Sequence, residues 1–127
     1  MSKEPAYQLK KLFGMRRETS VGFYLTDFLF RKILRQNSGV KWAVHHTSTL
    51  HNADKITCGI NVFPGDSPGV YINAINGVTV GDYTNIGPNV GIISANHDRG
   101  DKEAHTSQDT IVSVMCCWMG MGAGIRP

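Results

Sequence analysis

The sequence predicts an all-β fold, a parallel β-helix built from six-residue repeats and preceded by one N-terminal α-helix. Three observations carry that prediction. In GVYINAINGVTVGDYTNIGPNVGIISANHD, which ends at Asp98, Val80, Ile86 and Ile92 recur every six residues, and Gly81 and Gly87 follow two of them. Val78, Thr84 and Val90, each two residues upstream, keep the same step. Neither an α-helix (period 3.6) nor an alternating strand (period 2) produces a step of six. It is the step of a coil in which each hexad forms one short flat side.

Carried backwards, the same frame gives lead positions at Ala74, Pro68, Val62, Ile56, Leu50 and Val44. Seven of the nine lead positions from Val44 to Ile92 are Ile, Leu or Val, residues that make up 26 of the 127 in the chain, so chance would supply about two. The frame is weakest at Pro64-Gly65-Asp66-Ser67-Pro68-Gly69, where two prolines and two glycines read as a turn or protruding loop.

The elements follow in order. Residues 1–41 form a basic helical segment, in which Thr19-Ser20 caps a helix over Val21–Arg35 and Asn37-Ser38-Gly39 stops it. Asp27 falls in the acidic first half, and Arg31, Lys32 and Arg35 in the last turns, which suits the helix dipole. The apolar side of this helix is broad and is expected to pack on something. Residues 42–127 form the coil domain. After His97 the stretch at about 98–110 is polar and without the beat, so a loop is expected to leave the coil there. Met119-Gly120 and Ile125, six apart, resume the beat, while Ser113-Val114 does not fit it. A solenoid normally ends in a cap over its last coil. The sequence stops at Pro127 without one, and so reads as truncated.

Charge is split between the two parts. Residues 1–41 hold nine Lys or Arg against Glu4, Glu18 and Asp27, a net of +6, and residues 42–127 a net of −3. A basic segment suits a phosphate-bearing ligand, an anionic membrane surface or nucleic acid. The plainer reading is a solvated helix face, so no nucleic-acid partner and no membrane association is expected. Cys58, Cys116 and Cys117 lack CxxC spacing, which argues against a disulfide framework or structural zinc. His45, His46 and His51 do not have the spacing of a recognised ligand set, and no metal is expected. Met1–Met15 shows no signal-peptide pattern, and Phe23–Phe30 is too short to span a bilayer, so a cytoplasmic protein is expected.

VTVGDYTNIGPNVGIISANHD (Val78–Asp98) and CWMGMGAGIRP (Cys117–Pro127) resemble the hexapeptide-repeat acyltransferases, within them the sugar and antibiotic O-acetyltransferases. The second stretch is similar to that family's Trp-Ile-Gly-x-x-x-x-Ile-x-Pro segment. The resemblance covers residues 42–127. It implies a left-handed coil, a homotrimer with each site shared between neighbours, and transfer of an acetyl group from acetyl-CoA to a hydroxyl of a sugar or similar small acceptor.

It also implies roles for single residues. His97, at the end of a coil where the loop leaves, matches the family's general base. A thioester is already activated, so attack by an acceptor hydroxyl needs only a base, an oriented acceptor and oxyanion donors. An imidazole with a pKa near ~6.5 is mostly neutral at pH 7 and accepts that proton. Trp118, Met119, Gly120 and Ala123 lie where the family's CoA arm runs, the small residues allowing close approach. Asp66, Asn73 and Asn96 are candidates for the acceptor, although amides at coil corners commonly have a purely structural role.

Gly124 and Arg126 replace apolar positions of the family pattern. That departure sustains an alternative: a non-catalytic scaffold or binding protein that has lost its donor site. A γ-class carbonic anhydrase, also a trimeric left-handed coil, needs three zinc-binding histidines along the coils, and only His97 lies on the later ones.

Overall fold

The structure, a computed structural model, describes residues 15, 16, 18–94, 111, 112, 118–120 and 122–125. Ser20 opens the first element as an extended N-cap whose Oγ accepts a hydrogen bond from the Phe23 N–H at 3.1 Å. Helix α1 (Val21–Asp27) runs directly into a π-helical stretch, Phe28–Ile33, in which the Leu34 N–H reaches the Leu29 carbonyl at 2.9 Å. Where the sequence predicts an uninterrupted α-helix to Arg35, the wider turn takes over after Asp27. Arg35 (φ 61°) and Asn37 (φ 55°) are left-handed and end the element.

One face of the helix docks on the coil. Asp27, 4% exposed, accepts from Arg31 Nε at 2.9 Å, from Arg31 Nη2 at 2.8 Å and from the Val44 N–H at 3.0 Å. Arg31 Nη1 donates to the Val40 carbonyl at 2.7 Å, so one buried ion pair ties the helix to the chain's next segment. Asn37 then closes the open edge of the first strand. Its Nδ2 donates to the Ser48 carbonyl and its Oδ1 accepts from the Leu50 N–H, as a neighbouring strand would.

The described strands lie in three parallel sheets. The first orders β1 (Thr49–His51), β3 (Tyr71–Asn73), β6 (Gly91–Ile93) and β9 (Gly124–Ile125); the second β2 (Ile56–Cys58), β4 (Val78–Val80) and β7 (Ile111–Val112); the third β5 (Asn85–Ile86) and β8 (Trp118–Met119). From β3 onward the chain visits the three sheets in fixed rotation. Each circuit sets one side chain on its equivalent: Leu50 against Ile72, Ile72 against Ile92, and Ile92 against Ile125.

These stacks form the core. Eight of the nine lead positions are buried, and Pro68 alone is exposed. Ile72, Val78, Thr84 and Val90, two residues upstream of four leads, are buried as well, because alternate residues of one strand face the same way. The Pro64–Gly69 stretch is only partly the expected protrusion. Pro64 is fully buried and its carbonyl accepts from Trp42 Nε1 at 2.7 Å, while Gly65 (φ 90°) packs so close to Leu50 that a Cβ would lie 2.8 Å from Cδ1. The extra residues shift the register, and Leu50 pairs with Ile72 rather than with Pro68, three hexads on.

Corners are marked by left-handed backbone. Asn61 and Tyr83 occupy one corner in successive circuits, and Gly69, Asn89 and Gly122 another. The Asn89 amide side chain fills the space over Gly69, which leaves no room for a Cβ there.

Candidate functional site

The corner between the first and second sheets is spanned by five residues from His51 to Ile56 and from Asn73 to Val78, but Ile93 and Ile111, their equivalents in the next circuit, are 18 residues apart. In successive circuits it is formed by His51–Ile56, by Asn73–Val78, and by the segment after Ile93. His51 pairs with Asn73, and Asn73 with Ile93, so residues from three circuits meet at one place. The His51 ring lies edge-on to Tyr71 with centroids 5.6 Å apart.

Ser94 is the last residue described before Ile111, and it is fully buried. Its N–H donates to the Asn73 carbonyl at 2.9 Å, and its hydroxyl donates to the same carbonyl at 3.2 Å. The hydroxyl also accepts from the Asn76 N–H at 3.0 Å, and Asn76 Nδ2 donates to the Ser94 carbonyl at 2.9 Å. The chain is next described at Ile111, back in register beside Val78 in the second sheet. Asn96 and His97, two and three residues beyond Ser94, lie outside the described residues. Asn73 stands at this corner, but its Oδ1 accepts from the Ile75 N–H at 3.3 Å, a local turn bond of the kind amides make at corners.

A second feature lies elsewhere on the coil. A cleft of about 530 Å³ is lined by Arg16, Glu18, Asn61, Phe63, Asp66, Tyr83 and Thr84, and by Asn85 and Ile86 of the third sheet. Asp66 accepts from Arg16 Nη1 at 3.0 Å, and the Arg16 guanidinium sits 3.9 Å above the centre of the Phe63 ring. The Arg16 N–H also donates to the Tyr24 hydroxyl at 2.8 Å, joining this cleft to the helix. Asn73 does not line it, so Asp66 and Asn73 are not brought together. Nothing in the sequence signals the Arg16–Asp66 pair, whose members are 50 residues apart.

The expected CoA stretch adjoins the third sheet. Trp118 and Met119 pair with Asn85 and Ile86, which line the cleft. Gly120 is exposed, and a Cβ added at Gly120, Gly122 or Gly124 would meet nothing within 4 Å. Open surface of this kind allows an extended ligand to approach the backbone. Ala123 differs: it packs against the core, its carbonyl accepts from the Gly91 N–H at 2.9 Å, and its own N–H donates to Gly120.

The remaining reactive side chains are accounted for structurally. His45 and His46 stack with centroids 4.4 Å apart, and His46 stacks on Phe30 at 4.9 Å. His45 Nδ1 accepts from the Thr47 N–H at 3.2 Å, and burial, then the charge of His46, lowers its pKa. Among the described residues no group of three His, Cys, Asp or Glu could hold a metal ion. Burial pushes the Cys58 thiol up to about 11, so it is protonated and a poor nucleophile at neutral pH. No helix among the described residues is long and apolar enough to cross a membrane. No family model, curated protein or solved structure matches the chain.

Proposed function

We propose that this chain is a left-handed parallel β-helix of the hexapeptide-repeat acyltransferase kind, a cytoplasmic homotrimer that moves an acetyl group from acetyl-CoA to a hydroxyl of a sugar or similar small acceptor. The observation that carries the reading is the lengthened connection between the first and second sheets. Ile93 and Ile111, which pair with Asn73 and Val78, are 18 residues apart where Asn73 and Val78 are five apart, and the sequence between them contains Asn96-His97-Asp98. A base on a loop anchored at a rigid corner is held by the scaffold and still open to substrate.

In the proposed reaction, neutral His97 takes the proton of the acceptor hydroxyl as its oxygen attacks the thioester carbonyl. The carbon–sulfur bond then breaks, and the thiol of CoA leaves. The glycine-rich surface from Gly120 to Gly124 supports donor binding, since it has room for a chain to lie against the backbone. Asp66, fixed by Arg16, and Asn73, at the corner between the first and second sheets, stay candidates for orienting the acceptor.

Replacement of His97 by Ala is expected to lower transfer roughly 10²–10⁴-fold and leave the trimer intact. Initial rates with acetyl-CoA and a panel of sugars, together with light scattering, check this; unchanged turnover rules out His97 as the base.

The scaffold reading has one observation in its favour. Both backbone groups of Ala123, within the expected donor stretch, are already spent inside the coil. On that reading the wild-type chain transfers nothing to any acceptor.

A further inference from the structure

The helix has two faces, and among the described residues the fold uses only one. Phe23 and Phe30 meet the rings of His45 and His46, and Asp27 and Arg31 bind the backbone of Val44 and Val40. The other face consists of Leu25, Phe28, Leu29 and Ile33, which are 66, 58, 44 and 60% exposed. Their spacing of three, one and four residues sets them in one stripe along the helix, and Leu34, 60% exposed, extends it at the C-terminal end. Large apolar side chains grouped in this way mark a contact surface.

Charge says what covers it. Between residues 21 and 41 the exposed charged side chains are Lys32, Arg35 and Lys41, all cationic. The single carboxylate there, Asp27, is buried and neutralised by Arg31. Glu18 precedes the helix and lines the cleft with Arg16. An apolar stripe rimmed by cations, on a helix too short to span a bilayer, is the composition of a helix that lies in a membrane interface. A second copy presenting the same stripe is the poorer occupant, because it brings the same exposed cations and no exposed carboxylate between residues 21 and 41 to answer them.

We propose that the Leu25–Phe28–Leu29–Ile33 face rests on an anionic lipid surface, with Lys32, four residues after Phe28, and Arg35, at the end of the helix, meeting the headgroups. This is independent of any catalytic activity. It also departs from the composition-based expectation of a solvated helix face.

Sedimentation of the full chain with vesicles tests it. Binding is expected to mixed phosphatidylglycerol and phosphatidylcholine vesicles, at least tenfold weaker binding to phosphatidylcholine alone, and release by salt. Phe28→Glu and Leu29→Glu should abolish binding, and Lys32→Ser should weaken it roughly fivefold. Circular dichroism and melting of these variants should match the wild type, since the side chains are exposed. No binding to the mixed vesicles, or binding that survives Phe28→Glu, overturns the proposal. Self-association lost in Phe28→Glu without any vesicle binding overturns it too, and assigns the face to a second copy.

Discussion

Asp27 and Arg31 form a two-point ion pair at 2.8 and 2.9 Å, buried between the helix and the start of the coil, and Asp27 also takes the Val44 N–H. Removing the carboxylate leaves a guanidinium with little solvent and a buried N–H without its acceptor. Asp27→Ala should therefore cost about 3–5 kcal/mol of stability. Urea unfolding measures it. A loss under about 1 kcal/mol would show that the pair has no part in holding the helix.

Ile72 sits between Leu50 and Ile92 in the central stack of the first sheet and is fully buried. Truncation opens a cavity that neighbours above and below cannot both fill. Ile72→Ala is expected to cost about 2–5 kcal/mol in the same unfolding measurement. The equivalent change at exposed Ile60 should stay within about 0.5 kcal/mol.

The histidine stack sets a pH dependence. His45 has a pKa below its ordinary 6.5 because burial and the neighbouring His46 disfavour its charged form. The unfolded chain therefore binds the proton more readily than the folded one. The contribution of His45 is full above the unfolded value of about 6.5 and declines as pH falls through it, until the folded value is reached. Replacing His45 with Asn keeps an acceptor near Nδ1 and removes the titration. The unfolding midpoint of His45→Asn should lose less than the wild type's on going from neutral to mildly acid pH. Parallel curves would contradict this.

Ser94 is held at the corner three residues before His97 in the sequence. Ser94→Ala deletes the hydroxyl bonds to Asn73 and Asn76 at a fully buried site, a cost of about 1–3 kcal/mol. On the proposed reaction it should also lower kcat more than it raises KM, because the base is displaced while the donor surface at Gly120–Gly124 is untouched. Steady-state kinetics at saturating acetyl-CoA separates the two.

The core was largely legible before any coordinates. A step of six names side chains that must face the same way, and at Val44, Leu50, Ile56, Val62, Ala74, Val80, Ile86 and Ile92 they are buried. Pro68 escaped because an even step cannot register the residues inserted after Pro64, and they move the pairing of Leu50 onto Ile72. The Arg16–Asp66 pair and the cleft around it were invisible, since closing 50 residues depends on where the helix docks. The helix's double character was hidden for a related reason. Its breadth of apolar residues was plain, but only docking through Phe23, Asp27 and Phe30 shows which ones the fold leaves to solvent. At the candidate corner the sequence supplied Asn73 and the fold added Ser94 and Asn76, while His97 lies outside the described residues.

The central claim is donor use, and a calorimetric titration of acetyl-CoA into this 127-residue chain tests it most directly. Saturable binding with one site per chain, retained in His97→Ala, is the predicted result. Absence of saturable binding by the wild type would contradict the acetyltransferase reading and favour the scaffold.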